Sequence, residues 1–227
     1  MAGRLRRSGM LLALVLAASP VVDYEQARAE LEARRLELSA SWKKKPAEAR
    51  LHARTTLLDY LENSAFPAWK GTTWNFYGTS TTPREGTIAC GYYVTTVLQQ
   101  AGFKVERVRL AQQASAYIVS TLARGTRVDW LRPADNAAAM KEIHQRFGDG
   151  LFVVGFDYHV GFLRLDGERA AFCHSSFIDP GSVTCEDPVP AGAFASSTYV
   201  VADALNDSVL DDWLLGRAVP TQRPAKR

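Results

Sequence analysis

Leu151-Phe152-Val153-Val154-Gly155-Phe156 is an unbroken apolar run, and after Asp157-Tyr158 a second begins, His159-Val160-Gly161-Phe162-Leu163-Arg164-Leu165. Both are short and rich in β-branched and aromatic residues, which predicts strands. Asp166-Gly167 predicts a tight hairpin turn into a third strand, Glu168 to His174. Elsewhere the period is helical. Cys90 to Phe103 reads as an amphipathic helix with Cys90 in its first turn and Gly102 where the helix must stop. Residues from Tyr24 to Trp42 are dense in Ala, Leu, Glu and Arg, which favour helix. Lys43-Lys44-Lys45-Pro46 interrupts them, and Pro46 suits the first turn of a second helix that runs to about Glu62 and ends at Asn63. Leu51, Leu57, Leu58 and Leu61 recur at helical spacing and are expected in the core. Between Phe103 and Gly148, helices are expected over Ala114 to Ala123 and Ala134 to Phe147, and a closing helix over Val209 to Gly216. Helices followed by an antiparallel sheet give an α+β class.

The position of Cys90 is chemically suggestive. A helix N-terminus presents unpaired N–H groups and a partial positive charge, which favour a thiolate, so a depressed thiol pKa is expected. His159 stands near the start of one predicted strand and His174 near the end of the next. A hairpin brings those two ends together, which supplies a nucleophile, a base and a group to orient the base. His52 and His144 lie on predicted helices among charged residues and read as solvated.

These residues resemble a known family, the NlpC/P60 cysteine peptidases, whose papain-like domains cut amide bonds in bacterial cell-wall peptides. The likeness is carried by Gly71-Thr72-Thr73-Trp74-Asn75-Phe76-Tyr77-Gly78-Thr79-Ser80 before Ala89-Cys90-Gly91-Tyr92-Tyr93-Val94. It continues in Gly148-Asp149-Gly150-Leu151-Phe152, His159-Val160-Gly161-Phe162 and His174-Ser175-Ser176. The resemblance implies a papain-like domain over 67–217, preceded by an N-terminal helical segment over 20–66. It implies catalysis by Cys90, His159 and His174, with Trp74, Tyr77 and Tyr92 as candidates for binding substrate or the oxyanion, and no cofactor or metal. Three departures stand out. Ala89 replaces an aspartate that reads a free substrate amine, Gly91 replaces a serine, and Trp74 aligns with the oxyanion tyrosine. The long region 104–147 reads as an insertion able to build or cover a cleft.

Arg4, Arg6 and Arg7 before the short apolar stretch Met10 to Ala18 read as a secretory signal over residues 1–19. An exported protein, periplasmic or extracellular and without a stable membrane anchor, is expected. Loss of those arginines takes the formal charge from +3 to zero, so nothing points to nucleic acid as a partner. The expected partner is a cell-wall peptide or another exported peptide. Of the three cysteines, Cys173 and Cys185 flank a strand and turn and are close enough to pair, which leaves Cys90 as the odd thiol; the alternative keeps all three reduced. Residues 218–227 are expected to form a disordered tail. Three functions fit: a thiol hydrolase of wall peptide, a protease, amidase or acyltransferase for another exported substrate, and a catalytically silent peptide-binding module of the cell envelope.

Overall fold

The computed structural model describes residues 20–221, so the expected export signal and the end of the expected tail lie outside the described residues. Helices α1 (Pro20–Trp42) and α2 (Pro46–Tyr60) pack against each other across a short connection. Pro46 occupies the first turn of α2, where its missing N–H has no intrahelical acceptor to disappoint. The helix does not end at Asn63. It widens into a π turn over Leu61–Ala65 and resumes as α3 (Phe66–Trp69). Pro67 cannot donate to the preceding turn, and a local widening accommodates the lost bond, while the Asn63 amide donates to Asp59 Oδ1 at 2.9 Å. The buried row of α2 is Ala49, Ala53 and Leu57, joined by Tyr60. Leu51, expected in the core, is 61 % exposed, because it sits two residues out of phase with that row.

The remaining elements are β1 (Thr73–Trp74), β2 (Thr87–Ile88), α4 (Cys90–Gln100), β3 (Lys104–Val105), α5 (Arg107–Ala111) and α6 (Ser115–Ala123). They continue as β4 (Asp129–Leu131), α7 (Asn136–Phe147), β5 (Gly150–Gly155), β6 (Val160–Asp166), β7 (Arg169–Ser175) and β8 (Val183–Glu186). The chain closes with β9 (Tyr199–Asp203), α8 (Asp207–Leu214) and β10 (Ala218–Val219). One sheet of order β4-β9-β5-β6-β7-β8 dominates, and every pairing in it is antiparallel. The class is therefore mixed α+β with an antiparallel sheet.

The sheet is covered on both sides, which explains why β5 reads as continuously apolar rather than alternating. Leu151, Val153 and Phe162 face a core shared with α4 and α6, containing Val94, Val97, Val119 and Leu122. Phe152, Val154 and Phe172 face a second core with Ala139 and Ile143 of α7 and with Phe194. The 104–147 region is no appendage: α6 lies on the sheet, and β4 extends it through β9. At the hairpin, Asp166 pairs with Arg169, so Gly167-Glu168 are the two central residues, one position later than the sequence implies. Only Gly167 of the two takes positive φ (59°), the pattern of a II′ turn.

The chain after α8 is also ordered further than expected. Ala218 and Val219 pair in parallel with Lys104 and Val105, and Thr221 Oγ1 donates to Glu106 at 2.7 Å. Val219 is buried, and that apolar anchor draws the strand in.

Candidate functional site

Cys90 is the first residue of α4. Its N-cap, Ala89, is extended and makes no side-chain cap, so the first N–H groups of the helix are not consumed by a capping oxygen. The backbone N–H groups of Gly91, of Val160 and of Cys90 itself are instead directed at the sulfur. Gly91 is dictated by packing: a Cβ there would lie 2.4 Å from the carbonyl oxygen of Ala111. This is the physical reason for glycine where the resembled family has serine, and it shows α5 pressed against the start of α4.

Val160 opens β6, so its approach to the sulfur brings the preceding residue, His159, to the same place. Cys90, Gly91, His159 and Val160 line one small cavity of about 150 Å³, closed by Ser115 and Ile118 of α6. His159 and His174 are both buried, and their rings meet edge to face with His159 Nε2 2.8 Å from His174 Nδ1. The far nitrogen of His174, Nε2, lies 2.9 Å from Glu186 Oε1. His159 Nδ1 is buried and, among the described residues, has no hydrogen-bond partner.

This chain of contacts fixes the protons. An ionised Glu186 can only accept, so His174 Nε2 carries a hydrogen and His174 Nδ1 presents a lone pair. His159 Nε2–H donates to that lone pair, which leaves His159 Nδ1 unprotonated and available as a base. Glu186 is the residue that sequence reasoning missed. One signal was present: Glu186 follows Cys185 as His174 follows Cys173, and the two cysteines sit opposite each other in the β7–β8 register. They are joined as a disulfide, leaving Cys90 free, and the crosslink pins together the two strands that carry His174 and Glu186.

The electrostatics differ from the sequence expectation in one respect. Burial pushes the Cys90 thiol above its ordinary pKa, outweighing the three N–H groups that pull it down. A helix terminus stabilises a thiolate most where water also reaches it, and here the sulfur is largely enclosed. Phe156 and Phe172 wall the imidazoles, with Phe177 5.2 Å from the His159 ring and Phe172 stacked on His174 at 4.2 Å. Burial lowers both histidines to about 3, aided for His159 by the neighbouring His174. The resting state is thus a neutral thiol and a neutral imidazole lining one cavity, with no hydrogen bond between them. Burial, followed by the charge of Asp179, raises Glu186 above the usual carboxylate value.

Trp74, Tyr77 and Tyr92 all line a larger cleft of about 680 Å³ that opens onto Cys90. The Tyr92 hydroxyl accepts from Gln112 Nε2 at 3.1 Å, whereas Tyr77 is 84 % exposed. Gln112 and Gln113, after α5, also line it, so the 104–147 region does build the cleft. His52 and His144 are both exposed, and neither lines the cavity or the cleft. Among the described residues, no cluster of three or more His, Cys, Asp or Glu side chains could hold a metal ion, and no helix is long and apolar enough to cross a membrane.

Gly161 is the hinge of this geometry. A Cβ there would lie 2.5 Å from the Phe172 ring and 2.9 Å from His174 Cβ. Gly161→Ala is expected to cost about 2 kcal/mol in urea unfolding, as overpacking does, and to displace His174 from His159. Compared with known proteins, the chain matches no family profile, no curated protein and no solved structure.

Proposed function

We propose that the protein is an exported thiol hydrolase that cleaves an amide bond, a divergent relative of the papain-like NlpC/P60 peptidases. The observation that carries this reading is the buried, unpartnered Nδ1 of His159 in the cavity it shares with Cys90. Leaving a buried polar atom unsatisfied costs about 1–3 kcal/mol, and such an atom calls for a functional explanation.

The chemistry proceeds from the neutral pair. As the sulfur attacks the amide carbonyl carbon, the thiol proton passes to His159 Nδ1. The resulting oxyanion is stabilised by backbone N–H groups at the start of α4 and by a donor from the cleft, Trp74 Nε1–H or a tyrosine hydroxyl. His159 Nδ1–H then protonates the leaving nitrogen as the C–N bond breaks. Water, deprotonated by His159, attacks the thioester, releases the acid and restores the thiol. The imidazolium formed in each half-reaction is supported through His174 by Glu186. A wall peptide or another exported peptide is the substrate in this reading.

The test is the pH dependence of Cys90 alkylation by iodoacetamide in the oxidised mature protein, mapped by mass. A free thiol below its pKa reacts about tenfold faster for each unit of pH. A neutral thiol–imidazole pair is already the reactive state, so the wild-type rate should be flat across neutral pH, and His159→Ala should restore the tenfold slope. A wild-type slope like that of a free thiol would overturn the proposal.

A further inference from the structure

The cleft beside Cys90 is lined by uncharged residues: among the described residues, no Lys, Arg, Asp or Glu contributes to its wall. Around it stand Trp74, Phe76, Tyr77, Tyr92, Tyr158 and Phe177. Phe76, Tyr77 and Tyr158 are 71 %, 84 % and 94 % exposed, an unusual concentration of aromatic surface open to water. Arg107, which reaches the Tyr92 side of the cleft, is already engaged. It lies over the Tyr92 ring at 5.0 Å and donates to Thr96 Oγ1 and to the carbonyls of Thr79 and Ser80. A substrate carboxylate entering this cleft would be desolvated with no positive partner to receive it.

We infer that the cleft binds an uncharged aromatic or aliphatic group flanking the scissile carbonyl, so that the substrate is an apolar acyl or peptide group and not an acidic wall peptide. This rests on the thiol-hydrolase reading and sharpens it. The volume, about 680 Å³, is within the roughly 300–1,000 Å³ of small-molecule clefts. Phe177 links the two functions of the site, since it contacts both Trp74 at the cleft and His159 at the base. A planar group seated against Trp74 and Phe177 completes the water-excluding wall around His159, which ties recognition to the strength of the base.

The experiment compares alkylation of Cys90 in the full mature chain by iodoacetamide, N-benzyliodoacetamide and N-iodoacetylglutamate, each rate divided by that with N-acetylcysteine. The benzyl reagent should show an advantage of about tenfold over iodoacetamide, the scale of one or two good aromatic contacts. The glutamyl reagent should show none, and Phe76→Ala and Tyr158→Ala should each shrink the benzyl-to-iodoacetamide ratio. Both residues are exposed, so the variants are expected to fold. A benzyl ratio near one, or a faster glutamyl reagent, would overturn the inference while leaving intact a pH-flat, His159-dependent reaction. Conversely, a benzyl preference accompanied by a free-thiol pH slope would keep the ligand class and remove the hydrolase.

Discussion

Replacing Glu186 by glutamine should slow iodoacetamide labelling of Cys90 at neutral pH by about 10–100-fold, the scale on which a hydrogen-bonded carboxylate that orients a metal-bound imidazole matters. The carboxylate touches no substrate; it acts through His174, 2.9 Å away, and His174 through His159. A carboxylate dictates one proton arrangement, whereas an amide permits two. In the second arrangement the glutamine N–H donates to His174 Nε2, the hydrogen moves to His174 Nδ1, and His159 must receive it on Nε2. His159 then carries its own hydrogen on Nδ1 and can no longer accept from the thiol. Glutamine also removes the negative charge that stabilises an imidazolium in the transition state. The pH profile separates this positioning role from a packing defect. With both imidazoles neutral down to about 3, the first group to protonate on acidification is Glu186, whose carboxyl is raised by burial. The acid limb of wild-type labelling should therefore belong to Glu186 and disappear in Glu186→Gln. A variant that labels at the wild-type rate, or keeps the acid limb, would show that the carboxylate does not set the polarity of the chain.

The elements near Cys90 were legible because their signals are local. The apolar runs became β5 and β6, the amphipathic stretch became α4, and the hairpin places the two histidines within 2.8 Å. Trp74, Tyr77 and Tyr92 share a cleft with Cys90 although sequence alone could only offer them as alternatives. What was not legible depends on pairing across long separations. Glu186 acquires its role from β8 lying antiparallel to β7, a register that the charge of a single glutamate does not announce. Region 104–147 reads as an insertion because its contribution to the sheet, β4, pairs with a strand about seventy residues away. The thiol pKa was misjudged for a related reason: the helix terminus is visible in sequence, but the enclosure by α5, α6 and the start of β6 is not. The expected tail differs at its start, where Val219 finds a buried seat against β3.

The two histidines should also make the fold acid-sensitive well above the range where carboxylates usually fail. Their native pKa values, about 3, lie below the unfolded value of 6.5. The native protein resists protons that the unfolded chain accepts, so the stabilisation is complete above 6.5 and declines as pH falls toward 3. At pH 5, about 1.5 units into that window, each buried imidazole should account for about 2 kcal/mol of lost stability, or about 4 kcal/mol for the pair. Glu186 opposes the loss, because its raised carboxyl takes up a proton more readily in the native state. Asp129 and Asp211, which burial raises but which hydrogen bonds from arginine partners, and for Asp211 from Trp42, hold below the ordinary carboxylate value, add to the loss only at lower pH. Urea unfolding at pH 7.5 and pH 5 measures the difference. His159→Phe fills the aromatic wall without a titrating nitrogen and should lose only about half as much stability between the two pH values as the wild type does. An equal loss in both proteins would mean that His159 is protonated in the native state at pH 5, and the same protonation would remove the base that the flat labelling profile requires.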